Sequence, residues 1–204
     1  SIGVRPATEF LRDTGIQMAP NGALIVDREM RTSIADIWAA GDCSLVYHKG
    51  LKENAFLALG TVANKCGRIA GENIMGKHIK FTGALGSAAI KVCDLEMGRT
   101  GLGEAEAQRQ AIDYRTVIVE AMDHPAYYPD PTPITIKLIY EAGTRRLLGA
   151  QTAGIKGAVM RVDVFAVAIH NNMTTDELGM TDLVYAPPFA GVWDAVHIAA
   201  NAAK

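Results

Sequence analysis

TSIADIWAAGDCS, Thr32 to Ser44, and ALGTVANKCGRIAGENI, Ala58 to Ile74, are the two stretches that decide the fold. In the first, Ile37-Trp38-Ala39-Ala40 reads as a short apolar strand that stops at Gly41-Asp42. A carboxylate at the carboxyl end of a short parallel strand stands where open α/β sheets bind ligands. Glycine before it lets a bulky ligand approach the backbone. Asp42 in that position can accept hydrogen bonds from sugar-alcohol hydroxyls; it can equally close a plain strand-to-loop turn on its own backbone. In the second stretch there is no proline from about Leu57 to Met75, and Leu59, Val62, Cys66 and Ile69 recur at three- and four-residue steps. That spacing puts them on one helical face. Gly76 is placed to cap the helix in the left-handed conformation. The helix start, near Leu57 to Gly60, would turn its backbone N–H groups and dipole toward a negative charge or an electron-rich ring edge. The same pattern also suits an ordinary packed helix.

Outward from this pair the texture changes. Upstream, Ala23-Leu24-Ile25-Val26 reads as another short buried strand, and CSLVYHKGLKEN, Cys43 to Asn54, as a polar loop. Beyond Met75-Gly76-Lys77 the signals become α+β and antiparallel. Ser87 to Gly98 reads as a strand, Gly103 to Ala111 as a short helix of good helix formers, and Thr116 to Ala121 as a strand. Ile134, Ile136, Leu138 and Tyr140 alternate with a period of two. A turn at Glu141 to Thr144 returns the chain along Leu147 to Thr152. Val159, Val162, Ala166 and Ile169 mark an amphipathic helix, and Thr174 with Glu177 fits a capping box. The expected boundary lies near residue 80, with one domain over 1–78 and another over 79–204.

Composition narrows the function classes. The chain has 204 residues, 49% hydrophobic and 21% charged, which argues against disorder. No apolar run approaches the ~20 residues of a membrane span. With 20 basic and 22 acidic residues the net charge is -2, which gives no footprint for nucleic acid. Cys43, Cys66 and Cys93 form no CxxC pair and no zinc spacing, so no metal site is read; their odd count suits a reducing, cytoplasmic compartment. The first residues, SIGVRP, carry neither initiator Met nor the pattern of a signal peptide, as expected of a processed chain or a piece of a longer one.

Taken together, TSIADIWAAGDCS and ALGTVANKCGRIAGENI resemble the second flavin-binding segment of the pyridine nucleotide-disulfide oxidoreductases. The resemblance implies that Asp42, with Gly41 before it, holds the FAD ribityl chain. It also implies that Leu59, Gly60 and Thr61 contact the flavin ring through their backbone. SIGVRPATEFLRDTGIQ, Ser1 to Gln17, is similar to the exit from that family's NAD domain. The implied architecture is an α/β incomplete FAD-binding segment followed by an α+β interface (dimerisation) domain with an antiparallel sheet and helices on one side.

Leu183 to Phe189, LVYAPPF, places Tyr185 on a loop that two prolines stiffen. Such a ring is often simply packed, with its hydroxyl satisfied. YAPPF is, however, similar to a C-terminal signature of one branch of the family, the coenzyme A-disulfide reductases and related single-cysteine NAD(P)H oxidases and polysulfide reductases. In that branch the tyrosine crosses a homodimer interface to the redox cysteine and flavin of the other subunit. The branch carries a second tyrosine in a YYP stretch, matched here by Tyr127-Tyr128-Pro129, without showing which of Tyr127 and Tyr128 faces the site. His124-Pro125 is followed by Ala126 and lacks the glutamate of the dithiol branch, which favours the single-cysteine branch and leaves His124 as a loop residue.

The implied enzyme moves electrons from NAD(P)H through FAD to a cysteine that reduces coenzyme A disulfide, polysulfide or related sulfur substrates. The alternatives are an NADH oxidase reducing oxygen and, outside enzymes, a stand-alone dimerisation module. No redox cysteine of that kind is matched here, so all three cysteines read as structural and the 204 residues alone are expected to be inactive. Gly98-Arg99-Thr100-Gly101-Leu102-Gly103 holds nucleotide-motif glycines in the wrong order and reads as a strand-to-helix turn.

Overall fold

The computed structural model describes residues 3–204. The chain divides into two compact units, Ser1–Gly86 and Ser87–Lys204.

The first unit is built around one long helix, α1 (Gly60–Ile74), which buries Val62, Cys66, Ala70 and Asn73. These pack with Leu24, Val26, Met30, Val46 and Phe81 in a single core. The helix stops where Gly76, at φ +86°, turns left-handed and its N–H bonds the Asn73 carbonyl at 3.0 Å. Asn73 is buried but fully used: its amide donates to the carbonyls of Glu29 and Ile79 and accepts from the Ile79 N–H. Two expectations need correcting here. Ala23–Val26 and Ile37–Ala40 do not form ladders; Leu24 pairs singly with Met18 and Ser44, and Trp38 with Arg31. Each apolar run finds a partner at only one or two positions, too few to extend a ladder. Conversely, the polar loop is a hairpin of β1 (Leu45–His48) and β2 (Glu53–Phe56), closed by a turn in which Lys52 adopts φ +58°. Its inward residues Val46 and His48 are buried. The His48 ring nitrogen Nδ1 accepts from the N–H groups of Gly50 and Leu51, so the polar residue that hides the strand pattern is itself what closes the turn.

The second unit is a five-stranded antiparallel sheet in the order β3-β4-β7-β6-β5, with β3 Ala88–Val92, β4 Leu95–Gly101, β5 Tyr114–Met122, β6 Pro133–Glu141 and β7 Leu147–Gly154. Ser87 to Gly98, expected as one strand, is two: Cys93 at φ +52° makes the turn between β3 and β4. The alternation of β6 buries Ile134, Ile136, Leu138 and Tyr140. Against that side pack α3 (Ala158–His170) and α5 (Ala195–Ala202), the Tyr140 hydroxyl donating to the Lys204 carbonyl at 2.9 Å. The shorter α2 (Glu104–Arg109) places Ala107 against Ile139 and Leu148, on the other side of the sheet. Thr174 and Glu177 close a reciprocal capping box on α4 (Thr175–Gly179), which packs on α5. Gly98 to Gly103 is the strand-to-helix passage read from the sequence, running from β4 to the start of α2.

Candidate functional site

In the first unit, the turn that carries Asp42 is shaped by Gly41 at φ +95°, a conformation that L side chains rarely adopt. The Gly41 carbonyl accepts from the N–H and hydroxyl of Ser44, both at 3.2 Å, which fixes the turn. The turn lies at the first turn of α1, since a Cβ added to Gly41 would stand 3.9 Å from the Ala63 Cβ. Asp42 is exposed, and among the described residues no hydrogen bond or ion pair engages its carboxylate. At the head of α1 the Leu59 carbonyl accepts from Val62 and Ala63, each at 2.9 Å. The N–H groups of Gly60 and Thr61 have no acceptor among the described residues, and no side chain caps the helix. The space over Gly60 is open, with nothing within 4 Å of an added Cβ. A carboxylate without a partner suits sugar-alcohol hydroxyls, and an uncapped helix start suits an electron-rich ring edge, so the residues present are compatible with a flavin dinucleotide. Cys43 instead hydrogen-bonds the Ala40 carbonyl through its thiol at 3.5 Å. Cys66 is fully buried; burial pushes its thiol up to about 11, against a smaller opposing pull from Lys65, so it stays an inert thiol.

In the second unit the two tyrosine segments meet. The hydroxyls of Tyr127 and Tyr185 lie 3.2 Å apart. Tyr128 does not join them; it packs edge-on against the His124 ring, with centroids 5.6 Å apart. Of the two tyrosines in the YYP stretch, Tyr127 is the one in hydrogen-bond distance of Tyr185. The hydrogen bond to Tyr185 raises the Tyr127 phenol above its ordinary value, with burial and the neighbouring phenol adding to it. Either hydroxyl of the pair can donate to the other.

His124 sits in a loop, as read, but it is 2% exposed and acts as a latch. Its Nδ1 lies 3.0 Å from the Asp123 carboxylate and its Nε2 2.9 Å from the Pro129 carbonyl. Asp123 also accepts from the Thr132 N–H at 2.7 Å. Burial pushes the Asp123 carboxyl up, but the hydrogen bonds from Thr132 and His124 and the charge of His124 outweigh it and lower the value. A lowered carboxylate stabilises the fold above the unfolded value, ~3.9, and that contribution is lost as pH falls through the folded value. The melting-temperature gap between the natural chain and Asp123→Asn should therefore be widest near neutral pH and close below about pH 4. A gap that stays constant with pH would show that the carboxylate charge is not what holds this loop.

Sequence reasoning missed the side chains behind the tyrosines. Arg161, on α3, donates from Nε to both Asp194 carboxylate oxygens at 3.0 and 3.1 Å and from Nη2 to one of them at 2.7 Å. Nη2 also reaches the carbonyls of Asp123 at 2.7 Å and Phe189 at 3.5 Å, while Nη1 donates to the Gly157 carbonyl at 3.0 Å. Asp194 caps α5 by accepting from the Val196 N–H at 2.8 Å. His197 Nδ1 accepts from the Asp194 N–H at 3.1 Å, and its Nε2 donates to the Thr181 carbonyl at 2.9 Å. The one available signal was Asp194 ahead of the helical run Ala195 to Ala202, a capping pattern.

Residues 87–196 match the pyridine nucleotide-disulphide oxidoreductase dimerisation domain, and residues 1–80 match the pyridine nucleotide-disulphide oxidoreductase domain. The chain is 38% identical, over 204 residues, to the NAD(P)H sulfur oxidoreductase (CoA-dependent) of Pyrococcus abyssi, covering 100% of this chain and 46% of that protein. It superimposes with a TM-score of 0.93 on a NAD-dependent persulfide reductase from A. fulgidus, at 39% identity, covering 98% of this chain and 37% of that one. It matches the water-forming NADH oxidase from Lactobacillus brevis with a TM-score of 0.93 at 34% identity, over 99% of this chain and 45% of the other. The chain thus spans about half the length, 46%, of the first curated relative it matches.

Proposed function

The chain belongs to the pyridine nucleotide-disulphide oxidoreductases, and from that membership we propose that it is the C-terminal part of an NAD(P)H-dependent flavoprotein that reduces sulfur compounds, coenzyme A disulfide or polysulfide among them. The observation that carries the sulfur reading is the Tyr127–Tyr185 hydroxyl pair, exposed on the second unit. FAD, when bound, supplies the relay of two electrons between nicotinamide and sulfur. Asp42 would hold its ribityl hydroxyls, Gly41 would keep the approach open, and the backbone of Leu59, Gly60 and Thr61 would meet the ring. Tyr127 donates to the Tyr185 oxygen, and the Tyr185 hydroxyl donates to a thiolate leaving group as it forms in the site of a second subunit. The loop carrying Tyr185 is fit for such an interface. Val184, Phe189 and Val192 are 88%, 73% and 69% exposed, a cluster of apolar side chains that a monomer rarely shows to water. A homodimer joined through residues 79–204 covers them. No described helix is long and apolar enough to cross a membrane.

The similarity to the Lactobacillus brevis oxidase supports oxygen as a second acceptor. The test compares NADH consumption by the enzyme at its natural full length with coenzyme A disulfide, polysulfide and oxygen. A sulfur acceptor should be turned over at least ~10-fold faster than oxygen, a difference in transition-state stabilisation of ~1.4 kcal/mol. Faster turnover with oxygen would replace the sulfur reading with the oxidase one. For the flavin, Asp42→Ala in the same enzyme removes the acceptor of hydrogen bonds worth ~1.5–3 kcal/mol each. The variant should elute from purification with less than half the flavin absorbance per chain of the unmodified enzyme. Full retention of flavin would show that Asp42 is not a ligand.

A further inference from the structure

The two tyrosines stand on different loops, and nothing in either loop alone brings them together. Tyr127 lies four residues after Asp123, and Tyr185 lies four residues before Phe189. The backbone carbonyls of those two residues converge on one guanidinium, that of Arg161, at 2.7 and 3.5 Å. Its charge is answered by Asp194, with side chains only 11% and 10% exposed. A buried ion pair of this kind is a poor source of stability, because desolvation offsets most of its attraction. What it does supply is direction: a planar fork whose donors fix several acceptors at once.

We propose that Arg161 is a positioning residue for the Tyr127–Tyr185 pair, with Asp194 fixing its orientation. Arg161 sets the distance between the two loops because its Nη2 meets the Asp123 carbonyl, the Phe189 carbonyl and the Asp194 carboxylate, while Nε holds that carboxylate and so fixes the guanidinium. The far end of the Tyr185 loop is fixed independently. His197 donates to the Thr181 carbonyl and accepts from the Asp194 N–H, so the segment from Thr181 to Asp194 is pinned at both ends. The inference rests on the reading that the Tyr185 hydroxyl takes part in turnover.

The test is a double-mutant cycle on the full-length enzyme with NADH and polysulfide. Lysine keeps the charge of Arg161 but has a single ammonium, which cannot grip the Asp194 carboxylate from two nitrogens while it meets both loop carbonyls. Arg161→Lys should lower kcat ~10-fold with KM for NADH unchanged, since a displacement of about 1 Å at a reacting group is costly. In a Tyr185→Phe background the same change should lower kcat less than ~2-fold, because its effect passes through the hydroxyl already removed. Asp194→Asn is the second arm should the lysine variant not fold. Asparagine retains the cap on α5 and loses the ion pair, and it should show the same dependence on Tyr185. Effects that multiply independently in the two backgrounds, or a kcat unaltered by either change, overturn the positioning role and leave the tyrosine reading standing. A Tyr185→Phe enzyme with undiminished turnover overturns that reading, and the role of Arg161 falls with it.

Discussion

Tyr185→Phe is expected to lower the turnover of the full-length enzyme by about tenfold or more, with the dimer intact. A hydrogen bond to a charged acceptor contributes ~1.5–3 kcal/mol, and each 1.36 kcal/mol of lost transition-state stabilisation is about tenfold in rate. Phenylalanine keeps the ring and loses only the hydroxyl. The ring sits on a loop pinned by Arg161 and His197 through other residues, so its packing should survive the change. Tyr127→Phe should cost less, about threefold, because it removes a supporting donor and not the group that meets the sulfur; a single neutral hydrogen bond is worth ~0.5–1.5 kcal/mol. Steady-state NADH turnover with polysulfide reads both effects, and light scattering reads the dimer. Undiminished turnover of the Tyr185 variant would remove the hydroxyl from the chemistry. A monomeric variant would instead move the role of Tyr185 from chemistry to the interface.

The site was legible in the sequence where its residues are local and hidden where they are not. Gly41-Asp42 could be singled out because it lies in a contiguous run that resembles the family's flavin segment, and the left-handed Gly41 accounts for the turn the pair makes. Tyr185 could be singled out because YAPPF is a contiguous run that resembles a family signature; the two prolines alone say only that its loop is stiff. The choice between Tyr127 and Tyr128 could not, since it depends on a hydroxyl 58 positions away. Arg161 carries no local mark at all. It lies within the amphipathic helix read from Val159 to Ile169, and its partners Asp194 and Asp123 are 33 and 38 positions distant. Only the folding of α3 against the loops makes it a hub.

The fold shows the same division. β6 was plain because its period of two runs from Ile134 to Leu138 and resumes at Tyr140 after the buried Ile139, while β3 and β4 merged into one expected strand because Cys93-Asp94 lacks glycine or proline. Cys93 accepts the left-handed conformation that the turn demands. β1 and β2 were missed because polar and charged residues interrupt them, and the short hairpin they make is stabilised by the buried His48 as much as by apolar alternation. The glycines from Gly98 to Gly103 mimic a phosphate loop, but the structure uses them for close packing. A Cβ on Gly98 would collide with Val162 of α3, and one on Gly101, already at φ +71°, would stand 2.9 Å from the Gly149 Cα.

Gly149 is where that packing is tightest, and Gly149→Ala is expected to destabilise the second unit by about 3 kcal/mol or more, beyond the usual range for overpacking. In β7 it pairs with Gly101 of β4 on one side and Ile139 of β6 on the other. The register between β6 and β7 slips next to it, Tyr140 pairing with Leu147, so Leu148 bulges. The Leu102 N–H bonds the Leu148 carbonyl at 2.9 Å, drawing the two backbones together at that point. An added Cβ at Gly149 would overlap the Leu102 carbonyl oxygen and stand 2.9 Å from its carbonyl carbon. A flexible side chain could swing aside; the Leu102 backbone, held by its N–H on the Leu148 carbonyl, cannot move away without straining that hydrogen bond. Gly143→Ala is the matched control, in the turn after β6, where nothing lies within 4 Å of the new methyl. It should shift stability by no more than ~0.5 kcal/mol. Thermal melts of the two variants against the unmodified chain separate the cases, with a fall of roughly 10 °C or more expected for Gly149→Ala alone. Equal melting temperatures for the two variants would mean that β4 and β7 can part at this point without cost, and that the crowding of their backbones does not hold the sheet together.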